Sequence, residues 1–183
     1  MPLSPAPVAR QRLHVRSIQL SGFKREDGLW DVEARLTDVK DQDYPLSSGL
    51  RPAGEPVHDM WIRVTIDRDF NIHDAEAKTD GMPYVGHCDQ INTDYQRLKG
   101  LNLFHGFRRA VKERFDGVKG CSHLTELVMV LPTAAIQTFA SEMKDNEDHG
   151  PKPYQLDRCH ALESTSEVVQ RYYPRWYRGQ KMG

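Results

Sequence analysis

Trp30-Asp31-Val32-Glu33-Ala34-Arg35-Leu36-Thr37 alternates strictly between apolar and polar side chains. A period of two places every second residue on one side of an extended chain, so this stretch predicts a strand with one buried face and one wet face. Immediately before it, Arg25-Glu26-Asp27-Gly28 reads as a turn, and Leu13, Val15, Ile18 and Leu20 supply the partner strand of a hairpin. Downstream, Met60, Ile62, Val64 and Ile66 repeat the alternation within Val57 to Asp67, and Phe70, Ile72, Ala75 and Ala77 form its return strand after a turn at Asp67-Arg68-Asp69. Two hairpins thus come first in the chain.

The period then changes. Cys88, Ile91, Tyr95 and Leu98 fall at helical spacing before Gly100, and Phe104, Phe107, Val111 and Phe115 outline a second helix ending at Asp116-Gly117. Gly120-Cys121-Ser122-His123-Leu124-Thr125-Glu126-Leu127 opens the third and longest helix, with Ser122 as the expected N-cap and Leu124, Leu127, Val128, Leu131, Ala135 and Phe139 on the buried face. Pro132 lies inside that pattern and predicts a kink or a break. Strands followed by helices predict an α+β domain: an antiparallel sheet of two hairpins with three helices packed on one face.

The 183 residues suit one domain from residue 12 to 183, preceded by a proline-rich arm over residues 1–11. A polar loop is expected near 144–153, and the proline- and glycine-rich run from Lys40 to Pro56 reads as a long loop placed to cover a site. A formal net charge of −1 argues against bulk capture of nucleic acid. Seven basic residues lie between Arg97 and Lys119, with Phe104, Phe107 and Phe115 interleaved. Their helical spacing makes the aromatics a core face and the bases, Arg108 and Arg109 among them, a solvated one. No apolar run reaches the ~18 residues of a membrane span, and the start lacks a signal-peptide order, so the expected location is the cytoplasm. The expected partner is a small-molecule ligand, with no membrane or nucleic acid, and the oligomeric state is left open.

The chemistry centres on cysteine and histidine. Each of the three cysteines has a histidine within two positions: His87-Cys88, Cys121-Ser122-His123 and Cys159-His160. His58 and Asp59 stand at the mouth of the third strand, and Cys88 and Cys121 each stand at a helix start. Thiolate, imidazole and carboxylate form the ligand set of zinc or iron, so Asp59, Cys88, Cys121 and His123 are the expected metal ligands, with Cys159 and His160 as further candidates. The same region also carries two metal-free readings. In one, His58, Asp59, His123 and Glu126 perform acid–base catalysis, or Cys121 at a helix N-terminus acts as a nucleophile. In the other, the chain is a non-catalytic accessory protein that binds an anionic ligand through the basic stretch.

Four strings carry a family resemblance: Asp27-Gly28-Leu29-Trp30-Asp31-Val32-Glu33, Pro56-Val57-His58-Asp59-Met60-Trp61, Leu98-Lys99-Gly100-Leu101 and Gly120 to Leu127. Together they resemble a bacterial domain-of-unknown-function family, number 2889, from about Leu13 to Tyr173, and the resemblance implies no particular activity. A weaker similarity in element order is to the U-type iron–sulfur cluster scaffold proteins. Asp59, Cys88, Cys121 and His123 follow the scaffold's order of ligands, although Val57 stands where the scaffold has a cysteine. That similarity implies a shared fold and a pocket able to hold a metal.

Overall fold

A computed structural model describes residues 3–140, 150–153 and 155–179. Its backbone gathers into two compact units, Met1–Thr138 and Phe139–Gly183. The single domain expected over 12–183 spans both, and most of the loop expected near 144–153 lies outside the described residues. Residues 3–13 form no helix or strand and are exposed.

The first unit is built on a four-stranded antiparallel sheet of β1 (His14–Lys24), β2 (Trp30–Lys40), β5 (Pro56–Ile66) and β6 (Ile72–Gly81), in the order β1-β2-β5-β6. The alternation read from the sequence is the alternation of burial. Trp30, Val32, Ala34 and Leu36 of β2 and Met60, Ile62, Val64 and Ile66 of β5 are each at most 3% exposed. The opposite face is a lattice of charges, with Arg35 on Asp59, Arg63 on Glu33 and Glu76, and Arg25 on Asp31. Register is fixed by the cross-strand pairs Leu36↔Met60 and Ala34↔Ile62, because a slip of one residue would turn the apolar row to water.

Two details of the strands and their connections differ from the sequence reading. Between Lys40 and Pro56 the chain forms a small hairpin of β3 (Tyr44–Leu46) and β4 (Gly49–Arg51), whose two strands pair antiparallel. Ser48 and Arg51 tie it down by donating to the carbonyls of Pro83 and Met82. Phe70 does not join the return strand. It takes a left-handed conformation (φ 65°) in the turn before β6 and packs edge-on against Phe104, with ring centroids 4.6 Å apart.

All three helices expected after the sheet are present. The first, Gln90–Leu98, is a 3₁₀ helix rather than an α-helix, and Thr79 of β6 donates to its Asn92 at 2.9 Å. The second, α1 (Phe107–Phe115), stacks its Phe115 ring on Tyr95 of the 3₁₀ helix, with centroids 4.6 Å apart. Arg97 and Arg114 clamp these two elements by each donating to the other's carbonyl, while Arg108, Arg109 and Lys112 are exposed.

The third helix, α2 (Ser122–Phe139), continues through Pro132 without dividing. Leu124, Leu127, Val128, Leu131 and Ala135 are fully buried along it. The helix lies against the core face of the sheet. Cys121 Sγ just before its first turn is 3.9 Å from Met60 Sδ, and near its other end a Cβ on Gly22 of β1 would fall 1.9 Å from Thr138 Oγ1. Glycine at position 22 is therefore what lets strand and helix approach so closely.

The second unit contains a 3₁₀ turn at His160–Leu162 and α3 (Glu167–Tyr172), whose N-cap Ser166 accepts from the Val169 amide. Asp157 knits its loop together, accepting from the amide and hydroxyl of Ser164 and pairing with Lys152.

Candidate functional site

Where β2 ends and β5 begins, the buried face of the sheet turns polar. Asp38 is the next residue after Leu36 on the core-facing row of β2, and His58 precedes Met60 on the core-facing row of β5. The two are cross-strand partners, Asp38↔His58, and on the other side Arg16 of β1 faces Asp38. Three strands thus deliver Arg16, Asp38 and His58 in a line. The first turn of α2 closes over them with His123, and Glu126 reaches back to Arg16 Nη1 at 2.5 Å.

Asp38 is the hub. It is 4% exposed and accepts from Arg16 Nε at Oδ1 and from Arg16 Nη2 at Oδ2, both at 2.8 Å. His14 Nε2 lies 2.7 Å from Oδ1 and His58 Nδ1 lies 3.0 Å from Oδ2. His123 Nε2 is 3.6 Å from the same Oδ2, and the His58 and His123 rings face each other with centroids 3.9 Å apart. Burial on its own would raise the Asp38 carboxyl, but the bonds from Arg16 and His14 and the charge of Arg16 outweigh it and hold the group well below the usual carboxylate range.

Burial works the other way on the imidazoles. It lowers His58 despite the pull of Asp38, and it lowers His123 with help from His58 and Arg16 against Asp38 and Glu126. Both rings are thereby biased towards neutrality, the form in which a ring nitrogen keeps a lone pair for an ion or a proton.

The first turn of α2 is held from outside the cluster. Tyr95, fully buried, accepts from the Cys121 amide at 3.0 Å, and its hydroxyl sits 2.9 Å from both the Cys121 carbonyl and Thr125 Oγ1. The Cys121 carbonyl also accepts the first helical bond, from Thr125. Cys121 therefore occupies the N-cap position that the sequence reading gave to Ser122.

Among the described residues, Asp38, His58 and His123 form the one group of three or more potential ligands whose donor atoms lie within 4.8 Å of one another. Of the residues proposed from sequence, His58 and His123 meet there, with Glu126 at the rim on Arg16 and Cys121 alongside, its Sγ 3.9 Å from His123 Nδ1. Asp59 is directed elsewhere. One position on from His58, it falls on the opposite face of the sheet, where Arg35 grips it at 2.8 and 2.6 Å. Cys88, in the turn before the 3₁₀ helix, does not belong to the group, and Cys159 and His160 are exposed residues of the second unit.

Asp38 was missed by the sequence reading, and its signal is the parity of the strand. After four apolar residues on the buried row of β2, the fifth is a carboxylate.

The cluster opens into a cleft of about 200 Å³. His14, Arg16, Lys40, Tyr44 and Val57 line it together with Asp38, His58 and His123. Tyr44 comes from the small β3–β4 hairpin, so the segment read as a covering loop does reach the site. Lys40 Nζ rests 5.1 Å from the centre of the Tyr44 ring.

No helix among the described residues is long and apolar enough to cross a membrane. No curated protein and no solved structure matches the chain. A sequence profile described as "Protein of unknown function (DUF2889)" matches residues 14–137, which run from the first residue of β1 to the last turns of α2 and include every residue of the cluster. Covering about two thirds of the chain, that match establishes that the protein belongs to the DUF2889 family.

Proposed function

We propose that the protein binds a transition metal, zinc or iron(II), through Asp38, His58 and His123, and that the ion serves chemistry on a small molecule in the adjoining cleft. The spacing of the donors carries this reading. Bonds of about 2.0–2.1 Å in a tetrahedral site put neighbouring ligand atoms roughly 3.3 Å apart. Asp38 Oδ2 stands 3.0 Å from His58 Nδ1 and 3.6 Å from His123 Nε2, which straddles that edge. The chemistry of the set agrees: two imidazoles and one carboxylate leave coordination positions open and suit zinc or non-haem iron, and without a thiolate the set is a poor one for an iron–sulfur cluster.

Asp38 Oδ2 has one lone pair for Arg16 and a second, now facing His58 Nδ1, for the ion. Arg16 and His14 then act as the outer hydrogen bonds that orient a ligating carboxylate.

Equilibrium dialysis of chelator-stripped, untagged protein against zinc tests the proposal. One equivalent should bind, His58→Ala and His123→Ala should each abolish it, and Asp59→Ala should not. At a free zinc concentration a hundredfold above Kd, the folded state should gain about 2.7 kcal/mol. Less than about a tenth of an equivalent bound, with stability unchanged by chelator, would refute the reading.

A second reading is favoured by the bond between His58 Nδ1 and Asp38. With the proton on Nδ1, it leaves Nε2 of a ring that lines the cleft as the general base, with no metal required. A null dialysis result together with a nitrogen-15 spectrum placing the His58 proton on Nδ1 would select it.

A further inference from the structure

We infer that the cleft takes a small organic anion that bonds to the ion through two oxygens while its carboxylate pairs with Lys40. This inference rests on the metal reading above. All three donors line the cleft, so an ion held by them would be reached from it. Lys40 and Tyr44 line the same cleft.

The charges in this cleft are unevenly committed. Arg16 is fully engaged, with Nε and Nη2 on Asp38 and Nη1 on Glu126. Lys40 has no carboxylate partner among the described residues; its ammonium lies over the face of Tyr44. Counting Arg16 and Lys40 against Asp38 and Glu126, with the two ligating imidazoles neutral as coordination requires, the charges cancel, and His14 brings no negative charge to the balance. A divalent ion then leaves the cleft with an excess of two positive charges beside a half-buried ammonium. An anion is the complement of that arrangement.

Size narrows the class. A volume of about 200 Å³ holds roughly seven waters at ~30 Å³ each and falls below the ~300 Å³ at which pockets for drug-sized ligands begin. A whole nucleotide would not be enclosed by it. A short acid carrying a hydroxyl, oxo or second carboxyl group next to its carboxylate fits, because adjacent oxygens close a ring on the ion and the far oxygen is free for Lys40.

Cobalt(II)-loaded protein titrated with oxalate at fixed ionic strength provides the test, read from the visible spectrum of the bound ion and from the cobalt retained after desalting. The expected result is a saturable spectral change with cobalt retained. In Lys40→Met the cobalt affinity should be unchanged and the oxalate affinity lower by about tenfold, the loss typical of one charged hydrogen bond. Lys40→Arg should recover most of it. A cobalt spectrum that oxalate leaves unchanged, oxalate that strips the ion, or equal oxalate affinity in Lys40→Met would each overturn this inference while leaving the metal reading intact. Failure of cobalt to bind at all would overturn both, and that outcome is distinct from the other three.

Discussion

Replacing Asp38 by Asn keeps the shape of the hub and removes its charge. In the metal-free protein four bonds converge on this side chain: two from Arg16 and one each from His14 and His58. An amide can still accept at one atom, but its NH₂ group faces donors at the other. Removing one partner of a buried charge pair costs about 3–5 kcal/mol. Here the cost is smaller, because the Arg16 side chain is one-third exposed and keeps its pairing with Glu126. Discounting for that screening leaves about 2–3 kcal/mol, or roughly 4–12 °C in Tm for a chain of this size. Asp59→Asn is the matched control, since it breaks a carboxylate–arginine pair on the wet face and should cost at most about 1 kcal/mol. Denaturant titrations at pH 7 in the presence of a chelator measure both. If Asp38→Asn costs no more than Asp59→Asn, the cluster does not hold the first unit together as described.

Two further outcomes follow from the same geometry. Because burial lowers His58 and His123 in the folded protein, the unfolded chain takes up more protons as pH falls through about 6.5. Metal-free protein should therefore be most stable above that value and lose stability between pH 7.5 and 5, by at most about 1.4 kcal/mol per pH unit for each proton. A His58→Gln/His123→Gln variant should flatten the curve in that window, and an unchanged slope would contradict the stated bias to neutrality. Tyr95→Phe should cost about 1–3 kcal/mol, since it leaves the part-buried Cys121 amide without its acceptor, and should also weaken zinc binding by loosening the turn that carries His123. A destabilised variant that binds zinc as tightly as the parent would separate Tyr95 from the site.

The strands were legible because half-burial writes itself into a period of two, and the helices because their buried rows are long. The site was less so. Its residues were sought at element ends and beside cysteines, which found His58, His123, Cys121 and Glu126. Strand parity was not carried past Leu36, where it points to Asp38, nor applied to Asp59, which it places on the wet face. The 3₁₀ character of Gln90–Leu98 was not readable, since over nine residues spacings of 3.0 and 3.6 select nearly the same apolar positions. Arg16 and Tyr95 enter through contacts spanning 110 and 26 residues of chain, and no local pattern announces them.

The pairing of β2 with β5 is regular from Trp30↔Ile66 to Asp38↔His58 and shifts only between Asp38 and Val39. An irregularity placed one step beyond the hub separates two kinds of sequence freedom. On the near side, inserting or deleting one residue would exchange the faces of a whole strand and dismantle the cluster. On the far side, the β3–β4 hairpin can lengthen, shorten or change its residues while the bulge absorbs the difference, so that Asp38 and His58 stay in register. The fold is therefore arranged so that the wall bearing Tyr44 can diversify among relatives, or be redesigned, without disturbing the ligands beneath it.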